Sequence, residues 1–265
     1  MVLLPLSEAV VGGCFTPVAL IASDFDGTLT HQGKLTATVL ESLQALAFVN
    51  IPVLIITGRS AGWVEAINSY LPIIGAIAEN GGVFYRKNRE QPEFLTPIVD
   101  IEAHRHRLRQ VFQQLKTVFP NLKESADNRF RITDWTFDVT GLTPSDLQNL
   151  SQLCQESGWD FTYSTVQCHI KPFAQNKADS LIYVLTTYFP QLRREQVLTV
   201  GDSPNDESLF NPLLFPLSVG VNNILHYTDQ IRYHPQYVTT KAENEGFCEL
   251  ATLILKLIDV LPPSS

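Results

Sequence analysis

Asp24 and Asp26 stand two apart in the run Asp24-Phe25-Asp26-Gly27-Thr28, directly after the apolar residues 18–22. An apolar run that ends in two carboxylates and a glycine predicts a buried parallel strand delivering acidic groups to its C-terminal end, the end where open α/β sheets bind ligands. Residues two apart leave a strand on the same side. Carboxylates so close repel, and a shared proton or a bound cation relieves them. A cation there also makes one carboxylate a competent nucleophile toward phosphorus, because it screens charge on both partners.

Other apolar runs end in polar groups of different kinds. Residues 51–56 lead into Thr57-Gly58-Arg59-Ser60, residues 73–78 into Glu79-Asn80-Gly81-Gly82, and residues 196–200 into Gly201-Asp202-Ser203-Pro204-Asn205-Asp206. Lys177 opens a helical pattern carried by Ala178, Leu181, Ile182 and Leu185. These groups together satisfy one reaction, phosphoryl transfer. Asp24 is the nucleophile, and Asp26 protonates the leaving oxygen and later deprotonates water. Thr57 hydrogen-bonds phosphoryl oxygens, and Lys177 neutralises charge. Asp202 joins Asp24 and Asp26 in an oxygen-ligand set suited to Mg²⁺, with Asp206 as a further ligand or an orienting group. Gly58, Arg59, Asn80 and Asn205, from the same strand ends, are substrate-binding candidates. Lys171 competes with Lys177 for the cationic role. Lys177 is preferred because it starts a helix 25 residues before Asp202, whereas Lys171 precedes Pro172 in a hinge position.

The elements that must position these groups follow from periodicity. Residues 35–47 and 63–67 show helical spacing between the first three apolar runs, a β-α-β-α-β pattern that predicts a parallel sheet. The character changes between about residues 86 and 171. Residues 100–119 and 144–156 read as amphipathic helices, and residues 129–140 and 161–170 as alternating strands with one wet face. The parallel pattern then resumes with the Lys177 helix, further strands near 196–200, 217–221 and 237–239, and a closing helix over 247–261. The expected fold is therefore α/β, a Rossmann-like parallel sheet core with an inserted α+β cap domain. Residues 1–85 form the first part of the core (with an N-terminal extension, 1–17), 86–171 the cap, and 172–265 the rest of the core. Within the cap, Arg129, Arg131, Asp134, Asp138 and His169 are candidates to touch a leaving group, Arg131 and Asp134 foremost. His104 and His106, interleaved with arginines, read as a solvated helix face.

Composition narrows the partners. Hydrophobic residues make up 45% and charged residues 17% of the 265, enough apolar material for a sizeable core. A formal charge of -8 disfavours nucleic acid and anionic membranes, so an anionic substrate depends on local positive charge. The four cysteines, Cys14, Cys154, Cys168 and Cys248, show no Cys-x-x-Cys spacing and read as free thiols of a reducing compartment. No run reaches the ~18 apolar residues of a membrane span. Residues 1–16 carry no Lys or Arg and lack the basic start of a secretory signal. A cytoplasmic monomer or homodimer acting on a small phosphorylated metabolite is expected.

The four motifs, in this order and spacing, resemble the haloacid dehalogenase superfamily, specifically its phosphatases, over residues 18–258. Glu79-Asn80-Gly81-Gly82, the insert between the second and third motifs, and Asn205-Asp206 are similar to subclass IIB, which includes Cof-type sugar phosphatases and sucrose-phosphate phosphatase. The resemblance implies a Rossmann-like core with a mobile cap, Mg²⁺ dependence and hydrolysis of a small phosphomonoester, with a sugar phosphate as the expected substrate. The family's nucleophile, acid/base, phosphate-binding threonine, lysine and metal aspartate map onto Asp24, Asp26, Thr57, Lys177 and Asp202. Two alternatives stay open: a phosphotransferase or mutase using the same aspartyl-phosphate, and a non-catalytic protein that senses a phosphate ligand.

Overall fold

Continuous apolar runs become the central strands here because helices cover both faces of the sheet. The structure, a computed structural model, describes residues 3–11, 15 and 18–260. In chain order the elements are β1 (Leu4–Pro5), α1 (Leu6–Val11), β2 (Leu20–Ser23), α2 (Ala37–Phe48), β3 (Val53–Ile56), α3 (Ala61–Tyr70), β4 (Gly75–Ala78), β5 (Val83–Arg86) and β6 (Glu93–Phe94). There follow α4 (Ile101–Val118), β7 (Trp135–Asp138), α5 (Pro144–Glu156), β8 (Asp160–Tyr163) and β9 (Gln167–Lys171). The chain closes with α6 (Lys177–Tyr188), β10 (Val197–Gly201), β11 (Leu217–Gly220), β12 (Tyr237–Val238) and α7 (Glu243–Val260). Cys14 and most of residues 12–17 lie outside the described residues.

The large sheet has the order β1-β12-β11-β10-β2-β3-β4-β5-β6 and is parallel from β1 to β4. Strands β2, β3 and β4 build outward on one side and β10, β11 and β12 on the other, so the order reverses between β2 and β10. That reversal opens a crevice at the strands' C-terminal ends, where ligands bind in such sheets. Alternation sorts the strand residues into two layers. Ile21, Val53 and Ile55 pack with α2, α3 and α7, through Val39, Leu43, Val64, Phe247 and Leu250. Leu20, Ala22, Leu54 and Ile56 pack with α6 through Ala178, Leu181 and Val184.

A second sheet, β7-β9-β8, is antiparallel and carries its own core with α4 and α5. Trp135, Phe137, Cys168 and Ile170 face those helices together with Leu108, Phe112 and Leu150. Period two then places Gln167, His169 and Lys171 on the opposite face. This is the α/β core with an α+β insert that the sequence predicts.

Several details depart from the sequence reading. The insert does not begin at residue 86, because β5 runs antiparallel to β4, and β6 still belongs to the large sheet. Residues 129–140 do not form one exposed strand. Ala126–Phe130 is a 3-10 turn, and the first three residues of β7 are buried. Residues 161–170 divide into β8 and β9 around a turn. His104 is not solvated: it is buried, with Nε2 2.9 Å from the Thr133 carbonyl.

The two sheets meet at the turn after β4. A Cβ on Gly82 would overlap the Thr133 hydroxyl of the insert, so only glycine allows this approach. Gly82→Ala is expected to lower the unfolding free energy by about 1–3 kcal/mol, the usual cost of overpacking. Urea denaturation followed by circular dichroism measures this, and wild-type stability would show that the insert does not dock tightly there.

Candidate active site

Asp24 follows β2 and is almost fully buried, its backbone N–H donating to the Val200 carbonyl of the neighbouring strand at 2.9 Å. Gly27 turns the chain with φ +78°, and a Cβ there would overlap the Asp202 carboxylate. Asp202 follows β10 with no exposed surface, and accepts from Thr28 Oγ1 at 3.3 Å and from Asn223 Nδ2 at 2.8 Å. Asp206, in the 3-10 turn Pro204–Phe210, receives the backbone N–H groups of Asp202 and Ser203 on Oδ2. Lys177, first residue of α6, donates from Nζ to Asp24 Oδ1 at 2.5 Å and to Asp206 Oδ1 at 2.7 Å.

One carboxylate oxygen from each of Asp24, Asp202 and Asp206 lies within 4.8 Å of the others. Three buried carboxylates with one ammonium leave a surplus of two negative charges. The electrostatics register this strain. Burial pushes the Asp24 carboxyl up to about 7 against the lowering pull of Lys177, with Asp206 and Asp26 adding to the rise. Burial, then Asp24 and Asp206, raise Asp202 well above the ordinary carboxylate range. Burial alone would depress Lys177, but Asp206 and Asp24 outweigh it and hold its pKa above the ordinary value. A cluster of hard oxygen donors with two negative charges in excess fits a divalent cation.

Thr57 follows β3, enclosed beside this cluster. Its Oγ1 accepts from the Arg59 N–H at 3.1 Å, and among the described residues its own O–H has no acceptor. Asp26, read from the sequence as a further metal ligand, has its carboxylate elsewhere. Both oxygens take hydrogen bonds from Arg59, Nε at 2.7 Å and Nη2 at 2.6 Å, and Asp26 is not one of the clustered acids. Asn205 donates from Nδ2 to Asn80 Oδ1 at 3.0 Å. Lys171 lies apart from the cluster, its ammonium paired with Asp160 inside the insert.

A small cavity of about 10 Å³, roughly the room of one water molecule, is lined by Asp24, Asp26, Thr57, Gly58, Arg59 and Asn205 from the core. Ser164, Val166, Gln167 and His169 close it from the insert. Arg131 and Asp134, expected to touch a leaving group, stand behind this wall with fully enclosed side chains. Arg131 donates to the Gly58 carbonyl at 2.9 Å, to both Asp134 oxygens at 3.0 Å, to Asp127 at 2.9 Å and to Gln167 at 2.7 Å. A buried charge must be paired, and this pair is paired inward. Asp138 and Arg129 are exposed away from the cavity wall.

Sequence reasoning passes over Glu79 and Asn223. Glu79 is fully buried and accepts from the N–H groups of Ala61, Ile132 and Thr133 and from the Thr133 hydroxyl at 2.7 Å, tying insert to core. Its place in a polar turn is the one signal it leaves. Nothing in the chain around Asn223 distinguishes it.

The family model for sucrose-6F-phosphate phosphohydrolase matches residues 17–249. A phosphoglycolate phosphatase of Methanothrix thermoacetophila is 25% identical over 237 residues, covering 88% of this chain and 95% of its own. The C-terminal domain of C. albicans trehalose-6-phosphate phosphatase superposes with a TM-score of 0.72 at 15% identity, covering 96% of this chain and 98% of that one. The sucrose-phosphatase of Synechocystis sp. PCC6803, solved with sucrose and phosphate, gives 0.66 at 18% identity, covering 89% and 97%. With the family model spanning most of its length and the same sheet-and-insert architecture, the chain belongs to the sucrose-6F-phosphate phosphohydrolase family and is a phosphatase of the haloacid dehalogenase superfamily, subclass IIB.

Proposed function

We propose that this phosphatase hydrolyses a small sugar phosphate in a Mg²⁺-dependent reaction through a phosphorylated Asp24. The observation that carries the reading is Lys177, which bridges Asp24 and Asp206 beside Asp202, next to the free hydroxyl of Thr57. The substrate class is supported by the sucrose-phosphate and trehalose-6-phosphate phosphatases that share the fold.

Asp24, Asp202 and Asp206 would hold the cation. When bound, Mg²⁺ supplies the positive charge that offsets the cluster's excess and the developing charge on phosphorus. The chain's own groups carry the steps. An Asp24 carboxylate oxygen bonds to phosphorus as the bond from phosphorus to the leaving oxygen breaks, and Lys177 keeps that carboxylate oriented. Thr57 Oγ1–H donates to a phosphoryl oxygen. The leaving oxygen takes a proton from Asp26. In the second half, Asp26 as carboxylate removes a proton from water, whose oxygen bonds to phosphorus while the acyl-phosphate bond to Asp24 breaks. Both Asp26 oxygens accept from Arg59 in the structure, so the first half requires Asp26 to leave Arg59 and reach the leaving oxygen with a proton to give.

A cavity of one water's size admits no sugar, so residues 101–171 act in this reading as a cap that lifts to load substrate and closes to exclude water. The buried free thiols of Cys154 and Cys168 and the formal charge of -8 accord with a cytoplasmic enzyme of small metabolites.

Asp24→Asn is expected to lower p-nitrophenyl phosphate turnover by at least about 10³-fold with Mg²⁺ present, and EDTA to abolish wild-type turnover. Retention of most activity in the variant would assign the nucleophile elsewhere. Lys177→Ala should lose about 10²–10³-fold, while Lys171→Ala stays within a few-fold. Circular dichroism of both variants separates chemistry from unfolding, and the reverse ranking would move the role to Lys171.

Burial raises Asp24 from the ordinary 3.8 to about 7 in the folded, cation-free state. A raised carboxyl leaves stability intact below the unfolded value and removes it as pH climbs through the folded value. In EDTA, Asp24→Asn should therefore match the wild-type melting temperature near pH 4 and exceed it at pH 8. A gap that does not change with pH would mean that Lys177, rather than burial, sets the charge of Asp24.

A further inference from the structure

Two side-chain nitrogens that no hydrogen bond reaches among the described residues converge beside Gly58: His169 lines the cavity, and Asn80 is bonded to Asn205, which lines it too. One is Nε2 of His169, on the cap. The strand alternation of β9 turns this ring away from the helices, and it pairs with Thr136 and Thr162 across the middle of the small sheet. Its Nδ1 lies 2.8 Å from Asp134 Oδ2, and Asp134 is itself held by Arg131. An ionised carboxylate can only accept, so Nδ1 carries the hydrogen and Nε2 of the neutral ring presents a lone pair. Burial depresses the pKa of His169 against the pull of Asp134, with Arg131 and Lys177 adding to the depression, in line with a neutral ring. No hydrogen bond reaches Nε2 among the described residues.

The other is Nδ2 of Asn80, on the core. Its orientation follows from a chain of bonds. Ser203 Oγ donates to Asn205 Oδ1 at 2.8 Å, and Asn205 Nδ2 donates to Asn80 Oδ1 at 3.0 Å. The amide is thereby turned so that Nδ2 is a buried donor with no acceptor among the described residues. A Cβ on Gly58 would stand 3.1 Å from His169 Nε2 and 3.2 Å from Asn80 Nδ2. The glycine thus leaves open the spot on which an acceptor and a donor both bear.

We propose that His169 and Asn80 form a specificity pair that reads a hydroxyl of the leaving group next to the phosphoester, one wall from the cap and one from the core. A hydroxyl gives its proton to Nε2 and takes one from Nδ2, whereas a carboxylate satisfies Asn80 and sets its own lone pairs against His169. Of the cations nearby, Arg131 and Lys177 are engaged by protein carboxylates and offer a substrate carboxylate nothing, and Arg59 is engaged by Asp26 until the first half-reaction draws Asp26 away. The enzyme therefore favours phosphorylated polyols over phosphorylated small acids such as 2-phosphoglycolate. This deepens the sugar-phosphate reading above and rests on it.

The test measures phosphate release with Mg²⁺ from hexose phosphates, each matched with the deoxy analogue lacking the hydroxyl next to the phosphoester carbon, together with 2-phosphoglycolate and p-nitrophenyl phosphate. Wild-type kcat/KM on the best hexose phosphate should exceed that on its deoxy analogue and on 2-phosphoglycolate by at least about 10-fold, since a buried polar pair left unmatched is costly. In His169→Ala the ratio of hydroxyl to deoxy substrate should fall to about 2 or below; a purely structural role would lower both substrates and preserve the ratio. An unchanged ratio in the variant, or a wild-type preference for 2-phosphoglycolate, overturns the proposal. If the variant does not fold, the wild-type ratios decide. Loss of phosphate release even from p-nitrophenyl phosphate would instead overturn the reaction reading itself.

Discussion

Asp24, Asp202 and Asp206 are driven together by the sheet, and one ammonium among them is too little positive charge. Adjacent parallel strands β2 and β10 end at the same level, so the acids that follow them cannot avoid each other. Burial worsens the repulsion by removing water. Everything near the cluster serves to hold it despite that cost. Gly27 and Gly201 lack side chains where a Cβ would strike Asp202 and Asp206. Backbone N–H groups of Asp202 and Ser203 point at Asp206, and Asn223 grips Asp202. Lys177 is delivered by a helix whose first turn is capped by Asn176, which receives the Asp179 N–H at 2.9 Å. An acidic site assembled this firmly without enough countercharge is poised to take up a divalent cation, and that is the link between fold and chemistry.

A second constraint comes from the cap. Two linkers join it to the core, and both are tied into one buried network. Thr96 of the first donates to Gln175 of the second at 2.8 Å, and Gln175 donates to the Glu79 carbonyl and to Thr133 Oγ1. Glu79 gathers the N–H groups of Ile132 and Thr133 on one side and the first turn of α3 on the other. Burial, then Asp134, push its carboxyl pKa up, and Arg131 with these hydrogen bonds pulls the other way. The junction is thus held by buried hydrogen bonds instead of apolar packing, which fixes where the insert sits on the core to within hydrogen-bond geometry.

Much of this is written in the chain. Asp24 and Asp202 are marked because an apolar run breaks abruptly into acid, a pattern that a strand buried on both faces produces and a surface segment seldom does. Lys177 is marked by the helical spacing that follows it. The cap was harder to read, for a physical reason: its polar face is not wet. Arg131, Asp134 and His104 have the composition of a solvated surface, yet all three are buried, Arg131 and Asp134 in an ion pair and His104 against the Thr133 carbonyl, and only tertiary contact distinguishes the two cases. The early boundary at residue 86 has a similar origin, since β5 and β6 are short antiparallel additions whose alternation looks the same on either side of a domain border.

The turn Glu79-Asn80 joins these two constraints. Both residues have left-handed backbones, φ +54° and +55°, which costs non-glycine residues on the order of 1 kcal/mol or more each. Glycine at either position would relieve the strain, and each side chain explains why a glycine would not serve. Glu79 anchors the cap, while Asn80, its N–H fixed to the Thr57 carbonyl at 2.9 Å, aims an amide at the space beside Gly58. One strained turn therefore sets the docking of the cap and places one half of the pair proposed to face the leaving group. The other half, His169, travels with the cap. In the proposed reading, lifting the cap would open the entrance and separate the two halves in a single movement, so the complete set of contacts around a leaving group would form only as the cap closes over Asp24.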